Sequence, residues 1–434
     1  MLFRLISLLL FLFFTTNCST NKLQTSKDSF VESGSTALTD FEQSCSGEGK
    51  KTWKHTLCVP MIILNKDTME SIATKPDPKG KFTPEGSYFS GRYYGPKVYA
   101  NTSIEWEDQT WSMVLWPLPE SKLDRIELMN HEAFHSIQND LGLPANSLFI
   151  EHLDQYDGRL LIRLEWQALL QALTEPKART LHLQNALAFR KLRFQKFKGA
   201  QEKEHVLDFN EGLAAYTGTV VRLQNGDDKN IYLKNLLSKV PKLTSLARSA
   251  SYYTGPLYGL LLDKTEYNWK SGLKNSKGFG ELLAKAYKIQ KVPKIKLPTQ
   301  GYAEYDFTHI NEFERRRADE IKQKISTYLK KIDSPNSVLI KPTPGSPGMF
   351  DPNGILAISE GDFIYTFYQT TDKWGTLKVE DGVRIKNTPN TKIILSEPQE
   401  IGDTLVKGDG WTIELAKNWT IKKGSDGHFR PSVK

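Results

Sequence analysis

The stretch that most constrains this chain is Asn130-His131-Glu132-Ala133-Phe134-His135, an HExxH sequence. Leu123, Ile126, Met129, Ala133, Ile137 and Leu141 surround it at three- and four-residue steps, the spacing of one helix face. Ser121-Lys122-Leu123-Asp124 has the form of a capping box, and Gly142 followed by Pro144 stops the helix. On such a helix His131 and His135 lie one turn apart on one face, roughly opposite Ala133 and Ile137. The apolar stripe packs inward and the histidines look into a cleft. Two imidazoles at i and i+4 can share one zinc ion, with Glu132 beside them as a general base toward water. The alternative is a surface helix carrying two chance histidines.

At 434 residues the chain is long enough for two or three domains. Its 39% hydrophobic and 25% charged residues are ordinary for a globular protein. The net charge of +8 is scattered, with no Lys/Arg block and no aromatic-basic repeat, which argues against a nucleic-acid partner. Met1 to Arg4 carries one positive charge and Leu5 to Phe14 is almost wholly apolar, too short to span a bilayer. Residues 1–17 therefore read as a signal peptide. Thr15-Thr16-Asn17-Cys18 resembles the lipobox of bacterial lipoproteins, loosely, since Thr15 and Asn17 stand where the usual box has Leu and a small residue. The resemblance implies cleavage before Cys18, lipidation of its thiol and a lipid anchor in a membrane. The alternative is an ordinary secreted protein cut nearby. Outside the cytoplasm, Cys45 and Cys58 are expected to form a disulfide.

Residues 18–40 are rich in Ser, Thr, Asn and Lys and read as a flexible tether. A catalytic domain over 41–332 follows. Met61 to Asn65 suits a short buried strand, and 67–95, with many Gly, Pro and aromatic residues, reads mostly as loop. Ser103 to Trp106 and Thr110 to Trp116 flank Asp108-Gln109 as a hairpin. Placed just before the histidine helix, it either edges a cleft and pairs with an extended substrate or is a plain core hairpin. Helices are expected over 159–173, 179–197, 208–223, 230–246, 257–263 and 314–332, with Gly255-Pro256 as a break. Five prolines between 333 and 354 mark a linker. Beyond it the period becomes two. Leu377 and Val379 face Val383 and Ile385 across Asp381-Gly382, a hairpin signal, and Gly408-Asp409-Gly410 marks another turn. Residues 355–434 thus form a small all-β module. The fold class is α+β, a mainly helical domain preceded by a hairpin and followed by this module.

A zinc site of this kind needs a third protein ligand. Glu165, on the apolar face of Leu161, Ala168 and Leu169, needs a partner, which a metal or an arginine would supply. Glu211 lies in Asn210-Glu211-Gly212-Leu213-Ala214-Ala215-Tyr216, where Gly212 and Ala214 would let its helix come close to the histidine helix. The HEAFH and NEGLAAYTG segments together resemble the gluzincin branch of the zincin metallopeptidases, over about residues 103–263. The resemblance implies a zincin-like catalytic domain in which His131, His135 and Glu211 hold Zn2+ and Glu132 is the base. Tyr216 matches the motif's tyrosine and would support the site or stabilise the oxyanion. Tyr252, Tyr258 and His205 are further donor candidates, and Asp154 a candidate to orient a ligand histidine. Two departures stand. Glu211 follows His135 by 76 positions, longer than many gluzincins allow, whereas Glu165 has the more usual spacing. Ala215 occupies a place where several gluzincins carry Asp. Glu211 could instead close a capping box with Asp208.

The sequence therefore reads as a zinc metallohydrolase, a peptidase acting on a peptide or protein substrate, lipid-anchored at a bacterial cell envelope. Its rival is a non-catalytic surface lipoprotein that binds a partner through the β module.

Overall fold

A computed structural model describes residues 18–143, 146, 148–297, 302–346, 348–351, 354–359, 361–387 and 391–434, with side chains undescribed for 18–28 and 48–50. The chain divides into two compact units that meet in sequence between Ile137 and Gln138. The α+β class holds, with helices and one sheet first and mostly antiparallel strands last.

The first unit opens with helix α1 (Cys18–Trp53). The expected tether over 18–40 is thus corrected to helix. Phe30, Ala37, Leu38, Phe41 and Cys45 recur at helical spacing and are buried, and that stripe outweighs the weak helix propensity of the Ser and Thr between them. Cys45 and Cys58 are joined by a disulfide, which ties α1 to the chain leaving it. The stretch expected to be loop holds short strands. The sheet comprises β1 (Met61–Asn65), β2 (Glu70–Ala73), β3 (Thr83–Glu85), β4 (Tyr88–Arg92), β5 (Thr102–Trp106) and β6 (Gln109–Leu115), in the order β3-β4-β2-β1-β6-β5. β5 and β6 form the expected hairpin, with β5 at the sheet edge. Ile104, Trp106, Trp111 and Met113 join its core. α2 (Lys122–Ile137) packs against β5, β6 and α1.

In the second unit a helical array precedes a β-sandwich. Its helices are α3 (Tyr156–Thr174), α4 (Arg179–Lys196), α5 (Ala200–Leu207), α6 (Leu213–Gln224), α7 (Lys229–Ser238), α8 (Ser251–Leu262), α9 (Phe279–Ala286) and α10 (Phe307–Ile332). A π-helical turn, Asp208–Gly212, joins α5 to α6 without a break. The break expected at Gly255-Pro256 is absent, because α8 runs through Pro256. Gly255 lies against the Gly212 backbone, where an added Cβ would fall 1.9 Å from the Gly212 carbonyl oxygen. Small residues therefore bring the π turn close to α8.

The sandwich strands are β7 (Val338–Ile340), β8 (Gly348–Phe350), β9 (Ile355–Ser359), β10 (Asp362–Tyr365), β11 (Tyr368–Asp372), β12 (Gly375–Val379), β13 (Val383–Lys386), β14 (Lys392–Leu395), β15 (Pro398–Ile401), β16 (Leu405–Gly408), β17 (Trp411–Leu415), β18 (Trp419–Lys423) and β19 (Phe429–Val433). The sheets run β18-β19-β7-β14-β13-β10-β9 and β15-β16-β17-β12-β11-β8. β7 and β8 lie in the stretch read as linker, so the sandwich begins about seventeen residues earlier than expected. Period two explains β7: Val338 and Ile340 face the inter-sheet core, and Leu339 faces α10. The turn at Asp409-Gly410 joins β16 to β17 as expected. The hairpin across Asp381-Gly382 does not form, since β12 and β13 belong to different sheets. Glu380 and Asp381 N–H groups both donate to the Gly410 carbonyl, and Gly382, at φ 90°, sits under the Tyr328 ring. The alternating residues still meet, as Leu377, Val379, Val383 and Ile385 share the sandwich core.

Candidate metal centre

The capping box at the start of α2 is present in part, with Asp124 N–H donating to Ser121 Oγ at 3.4 Å. Ile126, Met129, Ala133 and Ile137 are buried as the stripe requires, although α2 ends at Ile137 and Leu141 lies in the following turn. Asn130 donates through Nδ2 to Ser44 Oγ of α1 and to the Ile126 carbonyl, both at 2.9 Å. Trp53 rests on Phe134, and Asp40 pairs with Lys122 and Arg125. The helix carrying the motif is thus fixed on the face away from its histidines. His131 and Glu132 are buried and His135 is half-buried. The His131 and His135 Nε2 atoms are 3.2 Å apart.

Glu211 sits in the π turn, and Asn210 Nδ2 donates to its Oε1 at 3.1 Å. π turns are rare and recur at functional sites, because one extra residue re-aims the side chains that follow. The capping box with Asp208 is corrected: Asp208 lies within continuous helix, and its carboxylate accepts from Arg190 at 2.5 Å and Ser251 at 2.6 Å. Gln138, the residue after α2, donates to the Phe209 carbonyl at 3.4 Å.

One donor atom each of His131, His135 and Glu211 lie within 4.8 Å of one another. Tetrahedral ligands at about 2.1 Å stand about 3.4 Å apart, close to the observed histidine spacing. Two imidazoles and a carboxylate are a donor set that could hold a metal ion such as zinc. The residues fit the ion.

Glu165 is engaged elsewhere. Its Oε1 accepts from Arg190 at 2.9 Å and Tyr258 at 2.7 Å, and its Oε2 pairs with Arg193 at 2.7 Å. The partner its apolar face demanded is a pair of arginines. Arg193 also grips Glu204, which accepts from His152 at 2.8 Å. Burial pushes the Glu204 carboxyl up, but Arg193 and the His152 hydrogen bond outweigh it and hold it well below its ordinary value. Burial pushes Asp208 up to about 6 against the pull of Arg190. Asp208 therefore keeps its proton more readily than an ordinary aspartate. The network braces the π turn through α3, α4 and α8. Arg190 and Arg193, three positions apart on a helix with buried Ala186 and Phe189, were its unread signal in the sequence.

Tyr216 is corrected. It is fully buried and donates its hydroxyl to Asp263 Oδ2 at 2.6 Å, tying α6 to the end of α8. Burial, with Asp263 beside it, raises its pKa well above the ordinary value. A hydroxyl so committed is a structural tie, not a donor to a substrate. Tyr258 is committed to Glu165 in the same way. Tyr252 is exposed on α8. His205 packs on Phe209, and burial, then Arg190, lower its pKa. Asp154 takes the loop-capping role, accepting from Ser245 Oγ and the Leu246 N–H. Residues 1–17, the expected signal peptide, lie outside the described residues, as does the Cys18 side chain. Among the described residues no helix is long and apolar enough to cross a membrane.

Comparison of this chain with protein families, with curated proteins and with solved structures finds no match.

Proposed function

We propose that this chain is a zinc-dependent hydrolase of peptide bonds, held at a bacterial cell envelope by lipid on Cys18. The observation that carries the reading is the grouping of His131, His135 and Glu211 donor atoms, with Glu132 adjacent on the same helix. A bound zinc ion would act as Lewis acid toward a carbonyl oxygen and lower the pKa of water to near neutrality. Glu132 takes the proton from the attacking water and returns it to the departing amine. Asn210 steadies Glu211, and Ser44 steadies α2 through Asn130. The free side of edge strand β5 offers backbone groups to an extended peptide. The disulfide accords with an extracytoplasmic place, where such bonds persist.

The test is zinc content of the chain from Ser19 onward. One zinc per chain is expected, lost in Glu211→Gln and kept in Glu165→Gln. Glu132→Gln should keep zinc and lose peptide hydrolysis by a factor of about 10²–10⁴, the usual contribution of a general base. Absence of zinc after reconstitution at neutral pH would overturn the reading. Partition of the full-length product into detergent, abolished by Cys18→Ser, tests the anchor.

A further inference from the structure

We propose that the β-sandwich carries a second binding site, which takes an acidic sugar unit of a glycan. The observation is a cavity of about 440 Å³ at one end of the sandwich, walled by Lys341, Lys373, Lys392 and Arg430 together with Trp374 and Trp419.

The backbone explains why the cavity exists. β19 meets β7 in parallel at a single position, Phe429 opposite Val338. The Phe429 N–H donates to the Ser337 carbonyl at 3.0 Å. Two residues on, on the same side of the strand, stands Pro431, which has no N–H to give. The ladder stops there and the strands part. The opening is lined by Leu339, Ile340 and Lys341 on one side and by Arg430 and Pro431 on the other. The turn from β11 to β12 adds Lys373 and Trp374.

Charge and shape then select the ligand. Lys341, Lys373 and Lys392 are exposed, and no carboxylate pairs with their ammonium groups among the described residues. The nearest acids are spent. Asp372 is occupied by Thr343, Ser346 and the Lys373 N–H, and Asp426 holds Arg430 through two hydrogen bonds. Three like charges gathered without a counter-ion repel one another, and an anion relieves that. A bare phosphate would use the lysines and leave the partly exposed Trp419 idle. A neutral sugar would use Trp419 and leave the lysines unpaired. A sugar ring bearing a carboxylate uses both, and the cavity has room for about one or two rings, within the usual size of small-ligand sites.

The test titrates the full chain with two acidic tetrasaccharides, one containing glucuronate and one galacturonate. A neutral chito-tetrasaccharide and inorganic phosphate serve as controls. Calorimetry and tryptophan emission give the affinities. At least one acidic probe should bind about tenfold more tightly than either control, and added salt should weaken it. Lys341→Gln with Lys392→Gln should weaken it about tenfold, and Trp419→Ala should weaken it while circular dichroism stays unchanged. Failure of both acidic probes to bind overturns the proposal. So does parity with the neutral sugar or with phosphate, or an unaltered affinity in the double lysine variant. Zinc content is independent of every arm, so this site and the metal centre stand or fall separately.

Discussion

Glu165 and Glu211 show how alike two residues can look in sequence and how differently a fold uses them. Both are glutamates on helices of the second unit. Glu165 is fully buried between Arg190 and Arg193, so replacing it by Leu would leave two guanidiniums uncompensated. A loss of about 3–5 kcal/mol is expected, measured by chemical denaturation. Glu211→Gln should change stability little in the zinc-free protein. Asp208 allows a sharper test through pH. Its folded pKa of about 6 lies above the ordinary 3.8, so its neutral form is the one the fold prefers. That preference stabilises fully below the ordinary value and is lost as pH rises through about 6. Asp208→Asn should therefore gain stability relative to the unaltered chain as pH rises from 4 to 7, read as the difference in melting temperature between the two. The histidines and Glu211 were legible because their chemistry demands a fixed spacing or a local motif. The arginine partners were not, because a buried ion pair joins residues 25 positions apart and leaves no local pattern.

At the scale of elements, period decided what could be read. β1, the β5–β6 hairpin and α2 each carry an unbroken local pattern, and each is where the sequence places it. α1 was missed because its polar composition masks a stripe whose packing outweighs propensity. The crossing at Asp381-Gly382 was missed because a two-residue link fits a hairpin and a change of sheet equally well. The π turn and α8 offer the element-scale prediction. An added Cβ at Gly255 would meet the Gly212 backbone, which cannot yield, whereas one at Gly212 would come no nearer than 3.2 Å to the Phe279 ring. Gly255→Ala should therefore cost about 1–3 kcal/mol or more and lower zinc occupancy by displacing the Glu211 turn. Gly212→Ala should do much less of either. Equal effects from both would mean that the turn does not depend on this close approach. Removing the disulfide with Cys45→Ala and Cys58→Ala should cost about 3 kcal/mol, judged from the short loop it closes.

For the molecule as a whole, α10 changes what counts as a domain. The sequence suggests a helical domain ending at 332 and a separate β module after a linker. In the structure one continuous helix serves both parts of the second unit. Glu314, near its start, accepts from Arg159 at 2.7 Å and Arg163 at 2.6 Å of α3. Further along, Ile321, Ile325, Tyr328, Leu329 and Ile332 pack on Leu356, Ile364 and Ile394 of the sandwich. Tyr328 and Lys331 also bond Asp381 at 2.7 and 2.9 Å, and Asp333 just beyond pairs with Arg384 at 2.6 Å. A rigid helix buried at both ends couples what it joins, because neither part can lose its packing without exposing the other's share of the helix. Residues 138–434 should therefore melt in one transition, with far-ultraviolet dichroism and tryptophan emission giving the same midpoint. Truncation after Ile332 should give a product that aggregates, since the apolar stripe of α10 would face water. Two resolved transitions, or a soluble and folded 19–332 fragment, would restore the module as an independent domain and leave α10 as a mere neighbour. A single transition would mean that a ligand on the sandwich stabilises the helical array as well, by about 2.7 kcal/mol at a hundredfold excess over its dissociation constant.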